Sequence, residues 1–260
     1  MRIATWNVNS VRAREPRLLP WLEAERPDVV CLQETKCVDE AFPREPVEEL
    51  GYNVELFGQK TYNGVAILSR EPMSDVRRGM PGEEEDADRR VVAATIGDLT
   101  VVNVYVVNGK EVGSPHYEHK LRWLGRLRDY LAEEFDLSQP FVMCGDFNVT
   151  FDDRDVWDPE LWREKILCST KEREALGAIV DLGLHDAFRK FHEDGGHHTW
   201  WDYRMLGFAK KRGLRIDHFL VSDVVLDRST GAEVDLDARR GKKPSDHAPV
   251  VLTLESDHQG

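Results

Sequence analysis

The arrangement of apolar runs along the chain is the feature that most constrains the fold. Short runs rich in β-branched and aromatic residues alternate with longer segments of helical periodicity from one end of the 260 residues to the other. Such alternation is typical of α/β proteins and argues against separate all-α and all-β parts. Eight segments are predicted strands on this basis, namely 2–6, 28–32, 64–68, 91–96, 100–107, 141–144, 214–221 and 249–254.

Two apolar stripes recur at helical spacing, within 117–131 and 176–184, and both are expected to face the core. No linker rich in Pro, Gly or Ser divides the chain, and the densest acidic run, 83–86, falls between two predicted strands as a loop. We therefore expect one domain over 1–255, followed by a short polar tail over 256–260.

The composition excludes several classes of protein. Hydrophobic residues make up 41% of the chain, which argues against disorder. No apolar stretch approaches the roughly 20 residues that span a bilayer, and the N-terminal apolar run is too short for a signal peptide. The four cysteines show no Cys-x-x-Cys spacing, so neither a zinc site nor a disulfide scaffold is expected. A cytoplasmic protein with no membrane contact and no obligate protein partner fits these features.

The net charge of −13 counts against a polyanionic partner, because long-range repulsion slows its approach. Basic residues nevertheless cluster late in the chain, within 210–215 and again within 239–243. Such runs are as typical of solvated loops as of nucleic-acid contacts, and a bound divalent cation would offset part of the overall charge. Charge alone leaves the question of nucleic-acid binding open.

Polar side chains stand at or just beyond the ends of the predicted strands, or interrupt them, where open α/β sheets present ligand-binding groups. Taken singly, each has an ordinary explanation, because Asn and Asp commonly form turns and cap helices. Together they supply carboxylate oxygens, amide groups and an imidazole able to exchange protons near neutral pH. The set comprises Asn7, Glu34, Tyr105, Asn108, Asp146, Asn148, Asp217, His218, Asp246 and His247.

Oxygen ligands without clustered cysteines favour Mg²⁺, or alternatively Mn²⁺, over zinc. A hard divalent ion beside an imidazole and carboxylates suits the hydrolysis of a phosphate ester, because the ion neutralises developing phosphoryl charge while a base activates water.

Seven segments add a pattern that covers nearly the whole chain: WNVNSVRAR at 6–14, LQETK at 32–36, YNGVAI at 62–67, CGDFNV at 144–149, TWWDYR at 199–204, GLRIDH at 213–218 and KPSDHAP at 243–249. In this order they resemble the exonuclease III family of apurinic/apyrimidinic endonucleases, within the endonuclease/exonuclease/phosphatase superfamily. The resemblance implies a four-layer α/β sandwich of two facing mixed sheets flanked by helices, with an active site where loops of both sheets meet.

The same resemblance implies roles for individual residues. Glu34 is similar to the principal metal ligand, with Asn7 and Asp246 near the same ion. Asp217 is similar to the residue that orients His247. Asp146 resembles the group that either activates the attacking water or protonates the leaving oxygen, and the sequence leaves both roles open. Further implied roles are the positioning of water by Asn148, phosphate contacts by Tyr105 and Asn108, and a place near the DNA backbone for Lys120.

Several other residues are candidates for DNA contacts. Asn63, Arg90 and Arg204 are candidates for phosphate contacts, although Arg90 could equally pair with the acidic loop before it. An aromatic and basic segment suits stacking on an unpaired nucleotide, and one of its two adjacent tryptophans is expected in the core because neighbours on a strand face opposite ways. This segment includes Trp200, Trp201, Phe208, Lys210, Lys211 and Arg212.

The chain departs from the family pattern at Val107, where proline is usual, and at Thr150 and Phe151, and none of these changes removes a catalytic group. The least family-like stretch, 151–170, is the neighbourhood that in relatives helps decide whether an internal abasic site or only a strand end can enter. The choice between endonuclease and exonuclease therefore stays open at this point.

Three functions are compatible with the sequence. The favoured one is a magnesium-dependent DNA repair nuclease that acts on double-stranded DNA at abasic sites, at recessed 3′ ends, or at both. A phosphatase or phosphodiesterase acting on a non-DNA phosphate ester would share the metal and histidine machinery. A nucleic-acid-binding regulator without catalysis is the third, and the intact set of Glu34, Asp146, Asn148, Asp217 and His247 argues against it.

Overall fold

The computed structural model describes residues 1–84 and 87–255, so part of the acidic loop and the predicted tail at 256–260 lie outside the described residues. The described part forms twelve strands and six α-helices. The strands are β1 (Arg2–Asn7), β2 (Val29–Gln33), β3 (Asn53–Phe57), β4 (Val65–Ser69), β5 (Met73–Arg78), β6 (Val91–Ile96), β7 (Leu99–Tyr105), β8 (Phe141–Asp146), β9 (His185–Asp186), β10 (Asp217–Val221), β11 (Ser229–Val234) and β12 (Val250–Leu254). The helices are α1 (Val11–Glu25), α2 (Arg44–Glu49), α3 (Pro115–Glu134), α4 (Pro159–Trp162), α5 (Thr170–Val180) and α6 (Asp223–Arg228).

These strands form two six-stranded mixed sheets. The first sheet has the order β11-β12-β1-β2-β4-β3 and the second the order β5-β6-β7-β8-β10-β9. Each sheet contains one parallel pair, β1 with β2 and β7 with β8, and α1 and α3 make the crossovers between the strands of these pairs. The carboxyl ends of these parallel strands carry the polar residues that the sequence singled out.

Side chains of the central strands alternate between the two faces of each sheet, so that both faces are packed and the molecule has four layers, with helices outside two facing sheets. In β2, Val29 and Cys31 pack between the two sheets, whereas Val30 and Leu32 pack outward under helix α1. The outer face of the second sheet is covered in the same way by α3 and α5. Because both faces are covered, these strands read as unbroken apolar runs rather than alternating ones. The predicted four-layer α/β sandwich with two facing mixed sheets is confirmed.

The eight predicted strands all exist, but four strands were missed, and these four are the edges of the two sheets: β3, β5, β9 and β11. An edge strand is open along one side, and polar residues there discourage pairing with other chains. In β5, for example, four of six residues are exposed. The edge strands therefore lack the apolar signal by which the central strands were recognised.

Helix α1 was also not predicted, because Pro16 and Pro20 lie inside it. Proline removes a backbone donor and usually breaks a helix interior. Here Ser10 caps the helix by accepting a hydrogen bond from the Ala13 amide, and the buried Leu22 packs with the outer face of the first sheet. Packing against the sheet thus overrides the local preference of the sequence.

A buried polar contact joins the two sheets close to the polar end of the strands. The Gln33 amide donates to Asn103 Oδ1 across the sheets at 2.7 Å and to Thr5 Oγ1 within the first sheet at 2.9 Å. Asn103 in turn donates to the carbonyls of Leu32 and Ala66 at 2.9 and 2.8 Å. The second sheet is therefore tied to β2 and β4 by directional bonds as well as by apolar packing.

The cysteines Cys31, Cys37, Cys144 and Cys168 are free thiols and are buried. Cys31 and Cys144 lie between the two sheets, where they pack as small hydrophobic side chains, as the sequence predicted. None of the described helices combines the length and the apolar character required to traverse a bilayer.

Candidate active site

The polar ends of the central strands converge from both sheets. Asp146 ends β8 and Asp217 begins β10, and the two residues are direct partners across this antiparallel pair. Asn7 ends β1 next to Gln33 of β2, so Glu34 follows beside it. His247 lies just before β12, which pairs with β1. The topology therefore brings residues far apart in sequence to one end of the sandwich.

Asp146, Asp217 and His247 form a buried acidic group. His247 Nδ1 lies 2.8 Å from Asp217 Oδ2, and His247 Nε2 lies 3.7 Å from Asp146 Oδ2. Among the described residues their ligand atoms lie within 4.8 Å of one another, close enough to hold a metal ion. Thr199 Oγ1 accepts from the Asp217 amide at 3.1 Å and fixes the start of β10.

The neighbouring charges push the pKa values of this group away from their usual ranges. Burial alone would lower the pKa of His247, but the carboxylates of Asp217 and Asp146 outweigh it and raise the pKa to about 10. Burial raises the pKa of Asp146 to about 7, although His247 acts in the opposite direction. At neutral pH the ring is therefore charged, while Asp146 is able to gain or lose a proton.

A second group surrounds Glu34. Its Oε1 accepts hydrogen bonds from Asn7 Nδ2 and from the Tyr105 hydroxyl, both at 2.9 Å, and its Oε2 pairs with Lys36 Nζ at 2.7 Å. Burial opposes the charge on Glu34, but Lys36 and Asn7 outweigh it and lower the pKa of this carboxyl. Burial, with the carboxylates of Glu34 and Asp146, raises the pKa of Tyr105, so its hydroxyl remains protonated and donates.

Asn7 connects the two groups. The same Nδ2 that bonds Glu34 also donates to Asp146 Oδ2 at 2.9 Å, while Asn7 Oδ1 accepts from the Asn9 amide at 3.0 Å. Asn7 thus presents its amide nitrogen to two flanking carboxylates, and its place near a metal ion stays a prediction.

Asp246 is half-buried at the rim and is held by two donors. Asn9 Nδ2 binds its Oδ1 and the Trp200 indole binds its Oδ2, each at 3.0 Å. Asn9 in turn accepts from Lys36 Nζ at 2.7 Å. Sequence reasoning missed both Asn9 and Lys36, although each lies two residues beyond a predicted site residue in the same motif.

Asn148 adopts a left-handed backbone with φ of 48°. Its amide donates to Asp146 Oδ1 at 2.9 Å, and its side-chain Nδ2 donates to the Val106 carbonyl at 3.0 Å and lies 3.4 Å from Asp146 Oδ2. Its side-chain oxygen accepts from the exposed Asn108 at 3.1 Å. Asn108 and Asn148 therefore stand together beside Asp146.

The donor set fits a hard divalent cation. Carboxylate oxygens of Glu34, Asp146 and Asp246 come from three separate segments of the chain, and oxygen atoms of this kind are preferred by Mg²⁺ and Mn²⁺. Burial is the main cause of the raised pKa of Asp146, and the nearby carboxylates of Asp217 and Glu34 add to it. A divalent cation would offset this negative charge.

The residues predicted to contact DNA lie in different surroundings. Asn63 is 8% exposed and donates to Gln59. Arg90 pairs with Asp88 and stacks 4.7 Å over the Tyr105 ring, rather than extending freely into solvent. The exposed Arg204 pairs with Asp202, while Lys210 and Lys211 are exposed on the segment that follows.

Two of these predictions are corrected by burial. Lys120 is 0% exposed, and its ammonium group contacts Glu172 and two backbone carbonyls inside the protein, so it does not lie at the surface where a DNA backbone would bind. Trp201 is 4% exposed and packs edge-on against Phe208 at 5.0 Å, so Trp201 is the core member of the tryptophan pair. Trp200, whose indole reaches Asp246, is the member near the site.

Comparisons with known proteins agree with this geometry. The endonuclease/exonuclease/phosphatase family matches residues 4–247. Exodeoxyribonuclease III of Haemophilus influenzae is 38% identical over 262 residues, which cover 96% of this chain and 98% of that protein. The structure of the 3′ phosphatase NExo from Neisseria bound to a product DNA hairpin is similar with a TM-score of 0.95 and 42% identity, covering 98% of this chain and 100% of that chain. An AP endonuclease from Archaeoglobus fulgidus gives a TM-score of 0.95 and 37% identity with the same coverage.

The two facing sheets and the acidic site at their end define an enzyme of α/β fold that hydrolyses phosphate esters. The chain belongs to the endonuclease/exonuclease/phosphatase family, in the branch of exodeoxyribonuclease III. The resemblance predicted from the seven sequence segments is thereby confirmed.

Proposed function

We propose that this protein is a divalent-metal-dependent DNA repair nuclease that hydrolyses phosphodiesters in double-stranded DNA at abasic sites, at recessed 3′ ends, or at both. The observation that carries the proposal is the convergence of Asp146, Asp217 and His247 with Glu34 at one end of the sandwich. The names of the relatives, which include an exodeoxyribonuclease III, a 3′ phosphatase and an AP endonuclease, support DNA as the substrate.

The metal would be held by Glu34 and Asp246, with Asp146 beside them. Asn7 would fix the carboxylates of Glu34 and Asp146, both of which it bonds. Mg²⁺ is the proposed ion and Mn²⁺ the alternative, since the donors are oxygens. When bound, such an ion neutralises the charge that develops on the phosphate oxygens.

His247 would stabilise the phosphate as a charged donor. Its raised pKa keeps the ring protonated at neutral pH, and because Nδ1 bonds Asp217, Nε2, which lies 3.7 Å from Asp146 Oδ2, would be the atom that donates to a phosphate oxygen. Asp217 therefore orients the ring and sustains its charge. A protonated ring is a poor base, which leaves proton transfer to Asp146.

Asp146 would carry the proton that moves during hydrolysis. With a pKa of about 7 it can accept a proton from the attacking water or give one to the leaving oxygen, and both roles remain proposals. Asn148, whose Nδ2 lies 3.4 Å from Asp146 Oδ2, would position the water. Tyr105 and Asn108, at the same edge, would contact the phosphate.

DNA would lie across the rim that carries Trp200 and the exposed cations of the segment after it. Lys210 and Lys211 would supply sequence-independent phosphate contacts, whereas Asn63, Arg90 and Arg204 would contribute after exchanging their present partners. We further propose that residues 1–255 act as one domain in the cytoplasm, without an obligate protein partner.

Two labelled duplexes test the function. One carries a single internal abasic analogue and the other an intact recessed 3′ end, and each is incubated with Mg²⁺ or with a chelator. Cleavage of either duplex that requires Mg²⁺ supports the proposal, and the pattern of products separates the endonuclease from the exonuclease. Cleavage that persists in chelator would contradict it. A protein that hydrolyses small phosphate esters but does not cleave DNA would also contradict it.

A further inference from the structure

A buried ammonium group lies directly behind the proposed active site. Lys120 projects from the second turn of α3, and its side chain is 0% exposed. Its Nζ donates to the carbonyls of Asn108 at 3.1 Å and Asn148 at 2.6 Å, and it forms an ion pair with Glu172. An ammonium group has three donors, so every donor of Lys120 is used inside the protein.

Glu172 is held as firmly as its partner. Its Oε1 also accepts from the Leu167 amide at 3.1 Å, and its Oε2 accepts from the Ser169 amide at 3.2 Å and hydroxyl at 2.6 Å. Ser169 and Glu172 form the capping box at the start of α5. Lys120 is thus anchored at its charged end to a fixed point on another helix.

The two carbonyls that Lys120 binds belong to the loops that carry proposed site residues. Asn108 lies in the loop after β7, and Asn148 lies in the loop after β8. Asn148 also holds the unusual left-handed backbone that turns its amide toward Asp146 and its side chain toward Asn108. A single cation therefore fixes the backbone of both loops from the side opposite the cleft.

The loop also rests on the aliphatic stem of the lysine. Gly109 has a φ of +85°, and a Cβ at this position would lie 2.9 Å from Lys120 Cδ and 3.1 Å from Ile166 Cδ1. Glycine is needed here both for the backbone angle and for the close approach. The loop after β7 and the lysine stem are consequently packed without space between them.

From these contacts we propose that Lys120 is a positioning residue that sets the geometry of Asn108 and Asn148 through their backbone carbonyls and makes no contact with DNA. The inference rests on the proposed nuclease function, because its effect is read in catalysis. Without the cation the two loops would lose their shared anchor. Small displacements of groups that orient a reacting water are costly, about 10- to 100-fold in rate for shifts near 1 Å.

The test removes the buried pair as a unit, because loss of one partner would leave an uncompensated charge. Lys120→Met is combined with Glu172→Gln, since glutamine also serves at the third position of a capping box. Ser169→Ala is the matched control, because it weakens the same cluster and leaves all three bonds of Lys120 in place. Circular dichroism and urea unfolding establish that each variant is folded under the assay conditions.

The expected result is a kcat lower by about 10- to 100-fold in the double variant, with KM and the salt dependence of DNA binding unchanged, and a kcat within about twofold of the parent in Ser169→Ala. A kcat that matches the Ser169→Ala control would overturn the proposal, since Lys120 would then be only a structural ion pair. A slope of log Kd against log salt that decreases by about one unit would also overturn it, because that change reports a lost phosphate contact.

A wild-type protein that cleaves no DNA with Mg²⁺ would contradict the proposed function instead, so the two failures are distinct.

A pair of glycine variants provides a second test that does not depend on the folding of the double variant. Gly109→Ala pushes a methyl group against the lysine stem, whereas Gly113→Ala has the same kind of backbone angle, φ of +81°, and nothing within 4 Å. The backbone strain is thus matched while the contact with Lys120 is not. A kcat lower by about fivefold or more in Gly109→Ala than in Gly113→Ala, at equal salt slope, supports the proposal, and equal kcat values contradict it.

Discussion

The two halves of the proposed active site differ in how their negative charges are compensated. Asp146 and Asp217 are each 1% exposed, and the cation beside them is the ring of His247, whose positive charge they sustain. Glu34 has a side chain that is 17% exposed, and a lysine together with an amide neutralises it. The group of Asp146, Asp217 and His247 is therefore suited to transferring a proton and stabilising charge. The group around Glu34 is suited to holding a cation through an ionised carboxylate.

The proposed site thus assigns two tasks to two groups of residues. Asn7 is the connection, since its single amide nitrogen bonds a carboxylate of each group. Variants in the buried group should damage the chemistry irrecoverably. Variants in the group around Glu34 should mainly lower the affinity for metal, so that an excess of metal restores activity.

The largest effect is expected for Asp217→Asn. The change removes the charge that sustains His247 and leaves the shape of the side chain, so kcat should fall by about 10³-fold while DNA affinity is retained. Single-turnover cleavage and fluorescence anisotropy measure the two quantities. Asp235→Asn, at a carboxylate that binds Trp21 on the outer face, is the control and should retain activity. A loss smaller than tenfold would mean that His247 does not depend on Asp217.

A smaller and recoverable effect is expected for Glu34→Gln. Loss of the charged ligand should lower cleavage by about 10²-fold at a fixed, low concentration of Mg²⁺, and raising the metal concentration should restore part of it. Calorimetric titration with Mg²⁺ checks the binding directly. Asp217→Asn measured over the same range of metal should show no restoration. If both variants respond to metal alike, the division of the cleft into two groups is wrong.

The smallest effect is expected on the stability of the fold and concerns His198, a buried histidine without the two adjacent carboxylates that His247 has. Burial lowers the pKa of His198 from 6.5 to about 4, with only a partial opposing effect of Asp155. The unfolded chain takes up this proton near pH 6.5 and the folded protein only near pH 4, so stability is lost as the pH falls through that window. His198→Asn should reduce this loss by roughly 1–3 kcal/mol, because a shift of one pKa unit corresponds to about 1.4 kcal/mol.

Urea unfolding at pH 7 and at several values down to pH 4 measures that slope. The exposed His116 provides a control substitution. An unchanged slope in His198→Asn would show that burial alone does not set the pKa of a histidine in this fold, and would weaken the contrast with His247.

The sequence predicted the interior of the sheets better than their borders. Central strands such as β2 and β8 are covered on both faces, so their apolar runs reflect burial directly. Edge strands obey a second requirement, which is to avoid pairing with other chains, and β5 meets it with exposed polar residues. Helix α1 was hidden by two prolines that only the contacts with the sheet compensate.

The site was predictable where chemistry and strand ends coincide. Glu34, Asp146 and His247 were identifiable because a polar group at the end of a buried run needs an explanation. Asn9 and Lys36 were missed because both are common surface residue types. Their roles depend on partners distant in sequence, since Asn9 binds Asp246 and Lys36 binds Asn9 where their two loops meet.

The resemblance placed Lys120 near the DNA backbone, although the sequence carried a signal that it is buried. It lies three residues after Tyr117 and four before Leu124, on the stripe that faces the core. The family position implied a DNA contact, whereas the periodicity indicates burial. The partner that makes burial possible, Glu172, lies on another helix and could not be assigned from spacing along the chain.

The amide pair of Gln33 and Asn103 has a consequence for engineering. Apolar contacts between two sheets carry little directional information, so a redesigned core of aliphatic residues could raise the melting temperature and still let one sheet slide over the other. Because Glu34 follows Gln33 and Tyr105 lies two residues after Asn103, any such slippage would separate the Tyr105 hydroxyl from Glu34, which come from opposite sheets. The hydrogen bond between Gln33 and Asn103 therefore fixes the register of the two sheets, and thermostabilised versions of the protein would need to keep it.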